Sequence, residues 1–408
     1  MKDLVLGDSL EALMDYRGKT PKKLGTEFRI DGVPVVSAQL VANGVLNLAE
    51  ARYVTREAHD TWMSMRTRRG DVLLTSEAPL GRVARVPSDE PLVLGQRLFG
   101  LRGLAGELDT GFLYYALQSE RVQADLVGRS TGSTVFGIRQ SALRRVVIPA
   151  PTFPEQCAIA EVLGALDDKI AANEQVAKTA IELGNSLFDR MYSESAVTRT
   201  QLGELVGGGG LVLGDGYRTK RSEHGQPGLR ILRAGDVHDS RIDPVGDDFV
   251  SQSYARQIGP KMSQSGDIVM TTKGTVGRVA VVSSAMERLV YSPQLCYFRV
   301  VDNGTLDRGY LATWFRGSDL QYQASLRMFK SDMAPYINLQ DIRSLEVPIV
   351  PFEQQRRQGE TQLKLLELFD GANAENTRLV RVRDALLPQL MSGKIRVRDA
   401  VQLAGSVV

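Results

Sequence analysis

Gly70-Asp71-Val72-Leu73-Leu74-Thr75 is written a second time as Gly266-Asp267-Ile268-Val269-Met270-Thr271. The echo continues without a gap: Leu80-Gly81-Arg82-Val83-Ala84 is answered by Val276-Gly277-Arg278-Val279-Ala280, at an offset of 196 residues. Further matches spread outward in the same order. Leu6-Gly7-Asp8 meets Leu202-Gly203-Glu204, and Tyr53-Val54-Thr55 meets Phe249-Val250-Ser251. Tyr16-Arg17 meets Tyr217-Arg218, and Ile148-Pro149 with Phe153 meets Val347-Pro348 with Phe352. A unit of nearly 200 residues is far longer than a solenoid repeat, so two copies of a whole domain plus its connector are expected.

Each copy begins with short β-branched runs bounded by Gly, Pro, Asn and Asp. Val33-Pro34-Val35-Val36, Val83-Ala84-Arg85-Val86 and Val279-Ala280-Val281-Val282 read as strands. Short helices are expected at residues 111–121 and 307–315. Each copy then reaches a proline-marked boundary, Ile148-Pro149 through Pro154-Glu155-Gln156 and Val347-Pro348 through Gln354-Gln355. Proline interrupts a sheet ladder yet suits a helix's first turn, so these segments end a domain and launch a helix.

Beyond Pro154 the apolar period changes from two to alternating fours and threes. Ile159, Leu163, Leu166, Ile170, Ala177, Ala180, Leu187 and Met191 form one seam, with Asn173 and Gly184 between them. The second copy offers Leu365, Phe369, Ala372, Asn376, Leu379, Leu386 and Leu390, with Arg383 at the remaining position. This is a coiled-coil pattern, and two helices of about 35 residues would each reach roughly 50 Å. The two could pair antiparallel within one chain, and Asn173 and Asn376 would favour one register.

Composition narrows the function. No run of about 18 apolar residues occurs, so no membrane helix is expected. The opening Met1-Lys2-Asp3-Leu4-Val5 reads as folded structure rather than a signal peptide. Cys157 and Cys296 are far apart and outside any C-x-x-C motif, which argues against a disulfide framework or zinc site and for a reducing cytoplasm. A net charge of +2 argues against coating of nucleic acid but allows local basic clusters, and the 38 Arg against 12 Lys suit bidentate contacts to phosphate or guanine.

Marks of catalysis are few. His59, His224 and His238 have no partners at metal-ligand spacing and read as surface or loop residues. There is no phosphate loop, no Asn-Pro-Pro-Tyr-type methyltransferase tetrapeptide and no persuasive nuclease carboxylate set; Glu77 is replaced by Lys273 in the second copy. A binding protein is expected, with no catalytic and no metal-ligating residues.

Candidate DNA contacts lie in basic segments. The duplicated turn supplies Arg82, Lys273 and Arg278, with small residues that let backbone approach phosphate. One motif present in both copies cannot read two sequences, so a framework role is the expectation for the turn itself. Readout should come from segments that differ: Arg17, Lys19 and Lys22 against Arg218, Lys220 and Arg221, and Arg129 and Arg139 against Arg327 and Lys330.

Recognition domain, long helix, recognition domain, long helix: this plan resembles the type I restriction–modification specificity subunit over essentially the whole chain. The strongest local likeness is Ala385-Leu386-Leu387-Pro388-Gln389-Leu390-Met391-Ser392-Gly393-Lys394-Ile395-Arg396-Val397, similar to that family's C-terminal helix end. Cys157-Ala158 departs from the more polar helix start expected there. The resemblance implies an α+β chain with two repeated target-recognition domains separated by two long antiparallel coiled-coil helices. Its segments would be domain 1 at 1–152, helix 1 at 153–194, domain 2 at 195–350, and helix 2 with the C-terminal segment at 351–408.

It also implies a non-catalytic subunit that binds a bipartite, asymmetric site in double-stranded DNA. Two methyltransferase subunits would dock on Ile159, Leu163, Leu166, Ile170, Leu187, Leu365, Phe369, Leu379, Leu386 and Leu390, the helices that set the half-site spacing. Two ATP-dependent restriction/translocase subunits would complete the complex. S-adenosylmethionine, ATP and Mg would belong to those partners, none to this chain. Two other readings stay open: the specificity subunit of a type IIB/IIG-like system, and a protein–protein scaffold without DNA readout.

Overall fold

The computed structural model describes the chain except residues 43, 133–134, 195–196, 303, 329–333 and 406–408. It divides into two compact units, Met1–Ala172 with Glu375–Val408, and Asn173–Ala374.

In the first unit a four-stranded antiparallel sheet runs in the order Leu10–Asp15, Leu98–Gly103, Val72–Thr75, Val83–Arg85. All four residues of Val72–Thr75 are buried, as befits a strand covered on both faces. The period of two then splits its side chains between two cores. Val72 and Leu74 join Phe99, Phe112 and Leu143 on the helical side. Leu73 joins Ala84, Leu98 and Val36 on the other, beneath a three-stranded sheet of Arg52–Val54, Val33–Val36 and Val93–Leu94. Lys2–Val5 pairs with Val147–Ala150, so the beginning and end of the globular part are zipped together.

The second unit repeats the plan. Its sheet order is Leu211–Asp215, Leu295–Val300, Ile268–Thr271, Val279–Val281, and Thr198–Gln201 pairs with Glu346–Ile349. Ile268 and Met270 enter one core and Val269 the other.

The duplicated Gly-Asp pair has a structural cause. Asp71 accepts Arg102 Nε and Nη2, both at 2.7 Å, and Asp267 accepts Arg299 Nε at 2.7 Å and Nη2 at 2.6 Å. Both carboxylates are buried and also accept a backbone N–H, from Arg68 and Gln264, each at 2.8 Å. A fork of this kind is the geometry in which a buried ion pair is satisfied rather than costly.

The long helices are Phe153–Glu194 and Phe352–Met391, each contributing a segment to both units. In the first unit Leu163, Leu166 and Ile170 share a core with Leu379, Leu386 and Leu390. Asn376 Nδ2 donates to Ile170 O at 3.1 Å, and Arg383 meets Asp167. In the second, Ala177 and Ala180 pack with Phe369 and Ala372, and Gln362 Nε2 donates to Gly184 O at 2.7 Å. Rising numbers on one helix meet falling numbers on the other within each unit, so both segments pair antiparallel.

Three local expectations need correction. The seam does not close on Leu187: Phe188 is the buried residue, packing its ring 5.1 Å from Tyr310. Leu365 is only partly buried in the seam, while its neighbour Leu366 turns into the globular core. The helix expected at 111–121 is two helices, Thr110–Ala116 and Glu120–Gly128, because Ser119 takes extended backbone and restarts the chain. The C-terminal Val397–Gly405 is a further helix, whose Ala400 is buried in the first unit's core.

Candidate nucleic-acid interface

The duplicated turn is built from its own threonine. Thr75 Oγ1 donates to Pro79 O at 2.6 Å and accepts Arg82 N at 2.9 Å; Gly81 N donates to Thr75 O at 3.1 Å. In the second copy Thr271 Oγ1 donates to Thr275 O and accepts Arg278 N at 3.0 Å, and Gly277 N donates to Thr271 O at 3.0 Å. Gly81 and Gly277 lie at φ 92° and 90°, and Gln123 and Gln321 each donate Nε2 to the glycine carbonyl, at 2.9 and 2.7 Å. The backbone polar groups of the turn are thus directed inward, as a framework requires, while Arg82 stays exposed and Arg278 half-buried at the rim.

The basic candidates fall into two sets. Arg17 is held by Asp15 through two 2.8 Å bonds, donates to Ile138 O at 3.2 Å and lies 3.9 Å over the Phe99 ring. Lys19 donates to Trp62 O at 2.6 Å. Arg129 pairs with Asp125 at 2.7 Å, one turn earlier in its helix. Arg327 donates to Ser344 Oγ at 3.0 Å and to Ser344 O at 3.2 Å. These four hold the fold. Lys22, Arg82, Arg139, Arg218, Lys220, Arg221 and Lys273 are exposed, with charge available to a phosphate backbone. Lys330 lies outside the described residues.

The domain-to-helix junctions are fastened alike. Gln156 Oε1 accepts Asp109 N at 2.9 Å while its Nε2 donates to Glu107 O at 3.0 Å; Asp109 in turn caps Thr110–Ala116. Gln355 Oε1 accepts Asp307 N at 3.1 Å, its Nε2 donates to Val350 O at 2.8 Å, and Asp307 caps Arg308–Arg316. Each glutamine is buried and ties the start of a long helix to the cap of a short one.

No group of three or more His, Cys, Asp or Glu able to hold a metal ion occurs among the described residues. His59 is not a surface residue: it is buried in Arg56–Trp62, with Nδ1 2.9 Å from Asp60 Oδ1. Sequence reading missed Arg102 and Arg299, though Leu101-Arg102-Gly103 and Phe298-Arg299-Val300 stand at nearly the repeat offset. No helix of the described residues is long and apolar enough to cross a membrane.

Residues 5–183 match the family model for the type I restriction modification DNA specificity domain. The chain is 25% identical to the MjaIX type I restriction enzyme specificity subunit of Methanocaldococcus jannaschii, covering 81% of this chain and 79% of that protein. The MjaVIII specificity subunit of the same organism is 20% identical, with 72% of each chain covered. The crystal structure of a type I restriction-modification S subunit from M. genitalium is similar in fold, with a TM-score of 0.64 at 19% identity over 95% of both chains. Residues 5–183 therefore carry the likeness to the specificity domain, and the duplicated α+β domains with two long helices share the fold of the M. genitalium S subunit.

Proposed function

We propose that this chain is the non-catalytic DNA-recognition subunit of a type I restriction–modification complex, each globular copy reading one half of a bipartite, asymmetric target. One observation carries the reading. The copies share ion pairs, turn hydrogen bonds and junction clamps residue for residue, yet Lys22 and Arg82 on one framework and Arg218, Lys220, Arg221 and Lys273 on the other present different exposed basic edges. A shared framework with divergent edges suits a reader of two different sequences.

The outward faces of the long helices are the docking surface for two methyltransferase subunits, since the seam residues Ile159, Leu163, Leu166, Ile170, Leu379, Leu386 and Leu390 expected to serve it are buried in the chain's own core. Two restriction/translocase subunits join them in the cytoplasm. Those partners supply S-adenosylmethionine, ATP and Mg chemistry, while this chain positions them on DNA. The test is modified-base sequencing of the host genome with and without this gene, alongside gel shifts of the chain with its methyltransferase partner. A split methylated motif that vanishes on deletion, together with a selective shift on duplexes carrying it, is expected. An unchanged methylome and no selective shift would refute the reading.

A further inference from the structure

In the first unit, Trp62, Val35, Ala38 and Leu40 line the apolar floor of a cleft of about 440 Å³. Its rim carries exposed Gln39, Glu50, Arg52, Gln96 and Arg97. Three observations single it out. Trp62 is 1% exposed, and its Nε1 has no hydrogen-bond partner among the described residues. Arg97 sits at φ 65°, a left-handed backbone that side-chain-bearing residues adopt at a cost, and one that concentrates at functional positions. The third is the comparison with the second copy.

The same backbone positions recur there, fixed by the same hydrogen bonds. Ser76 N donates to Arg97 O at 2.9 Å, and Thr272 N to Gln294 O at 2.8 Å. Gly95 N donates to Val36 O at 2.8 Å, and Ser292 N to Leu232 O at 3.0 Å. Val35 pairs with Arg52, and Ile231 N donates to Asp248 O at 2.9 Å. The side chains on this common frame differ in chemistry: Arg97 becomes Gln294, Arg52 becomes Asp248, Gln96 becomes Pro293 and Gln39 becomes Gly235. Framework positions such as Ala38 and Ala234 are the same. In the second unit Asp248 is paired with Arg233, so even the sign of charge on this edge is rearranged.

We propose that this cleft is the base-reading surface of the first domain, with Arg52, Gln96 and Arg97 meeting base edges of one half-site in duplex DNA. The chemistry matches: guanidinium donors suit guanine O6 and N7, and a glutamine amide suits adenine N6 and N7. Arg97 is aimed by Glu77, whose Oε1 lies 3.2 Å from Arg97 Nε, and Arg52 stacks 3.8 Å over the Phe28 ring. The assignment rests on the DNA-reading function above and names the residues that carry it in one half.

The test uses the full chain in complex with its methyltransferase partner and fluorescent duplexes carrying the host motif. Each half-site is altered one base pair at a time, and discrimination is the ratio of affinities. Arg97→Gln and Gln96→Ala are expected to lose roughly tenfold in discrimination at one or two base pairs of a single half-site. Discrimination in the other half-site should stay at the parent's value. Both residues are exposed, so thermal unfolding should superimpose on the parent's; if Arg97→Gln unfolds, Gln96→Ala and Arg52→Gln carry the same expectation. Unchanged discrimination in both half-sites, or equal loss in both, overturns the cleft assignment alone. A parent complex that discriminates no sequence overturns the DNA-reading function and the cleft with it.

Discussion

Asp167 Oδ1 lies 3.0 Å from Arg383 Nη1, joining the first long helix to the second within one compact unit. Asp167 Oδ2 accepts Arg85 Nη2 at 3.0 Å and the Tyr115 hydroxyl at 2.6 Å. Burial and this carboxylate together push the Tyr115 hydroxyl far above its ordinary range, so it stays a donor. One half-buried carboxylate therefore organises two cations and a phenol. Asp167→Asn would leave both guanidiniums facing a neutral amide, and we expect a loss of about 2–3 kcal/mol in stability. Arg383→Leu should cost less, because Asp167 keeps Arg85. Chemical denaturation of the three chains checks the order; an Asp167→Asn chain as stable as its parent would remove the network's importance.

The turn glycines separate framework from contact. A Cβ on Gly81 would lie 2.4 Å from Gln123 Oε1, and one on Gly277 would lie 2.9 Å from Gln321 Oε1, both on a backbone of positive φ. Gly81→Ala should destabilise by about 1–2 kcal/mol, and adding Gln123→Ala should recover only the steric part. Loss of DNA affinity at unchanged stability would instead make the turn a contact.

These two cases show what the sequence could and could not disclose. The repeat was legible because Gly70-Asp71 and Gly81-Arg82 are local words, each needing a particular residue at a fixed place on a turn or strand. The helices were legible because a seam imposes its period over many turns. Arg102 and Arg299 were missed because an ion pair between strands has no sequence spacing of its own. Leu187 was misread for Phe188 because the helix leaves the pairing seam there to meet Tyr310 in the globular core. Arg17 and Arg129 read as free charge because their carboxylate partners, Asp15 and Asp125, are ordinary acidic residues until folding aims them.

The two sets of basic residues should therefore respond differently to salt. Arg82 is exposed, whereas Arg17 is clamped by Asp15 and stacked on Phe99. Arg82→Ala should leave the unfolding midpoint unchanged and weaken DNA binding across sequences. The slope of log affinity against log salt should fall by about 0.9 if it touches one phosphate. Arg17→Ala should lower stability and leave that slope unaltered. Titrations of both variants between low and moderate salt decide this; a lower slope for Arg17→Ala with intact stability would reverse the two roles.

Arg316 offers the opposite experiment, a substitution that should stabilise. Its Nε and Nη1 are enclosed and have no hydrogen-bond partner among the described residues, and burial pushes the guanidinium down to about 10. Counting from Gln123 and Gln321, the first copy has Gln118 at this place, whose Nε2 donates to Tyr114 O at 3.0 Å. An enclosed donor without an acceptor carries its full desolvation cost, so Arg316→Met should raise stability by about 1–2 kcal/mol. Asp370 modifies the gain. Burial holds its carboxyl above the usual range, and Arg316 opposes that rise. Removing Arg316 should lift the carboxyl further. A carboxyl raised in the folded state favours folding only when protonated, so its penalty is present at neutral pH and fades as the pH falls through the folded value. The stabilisation by Arg316→Met should thus be larger at pH 5 than at pH 8. Paired thermal melts at the two pH values test both statements, and a variant less stable than the parent at each pH would show that the guanidinium is satisfied after all.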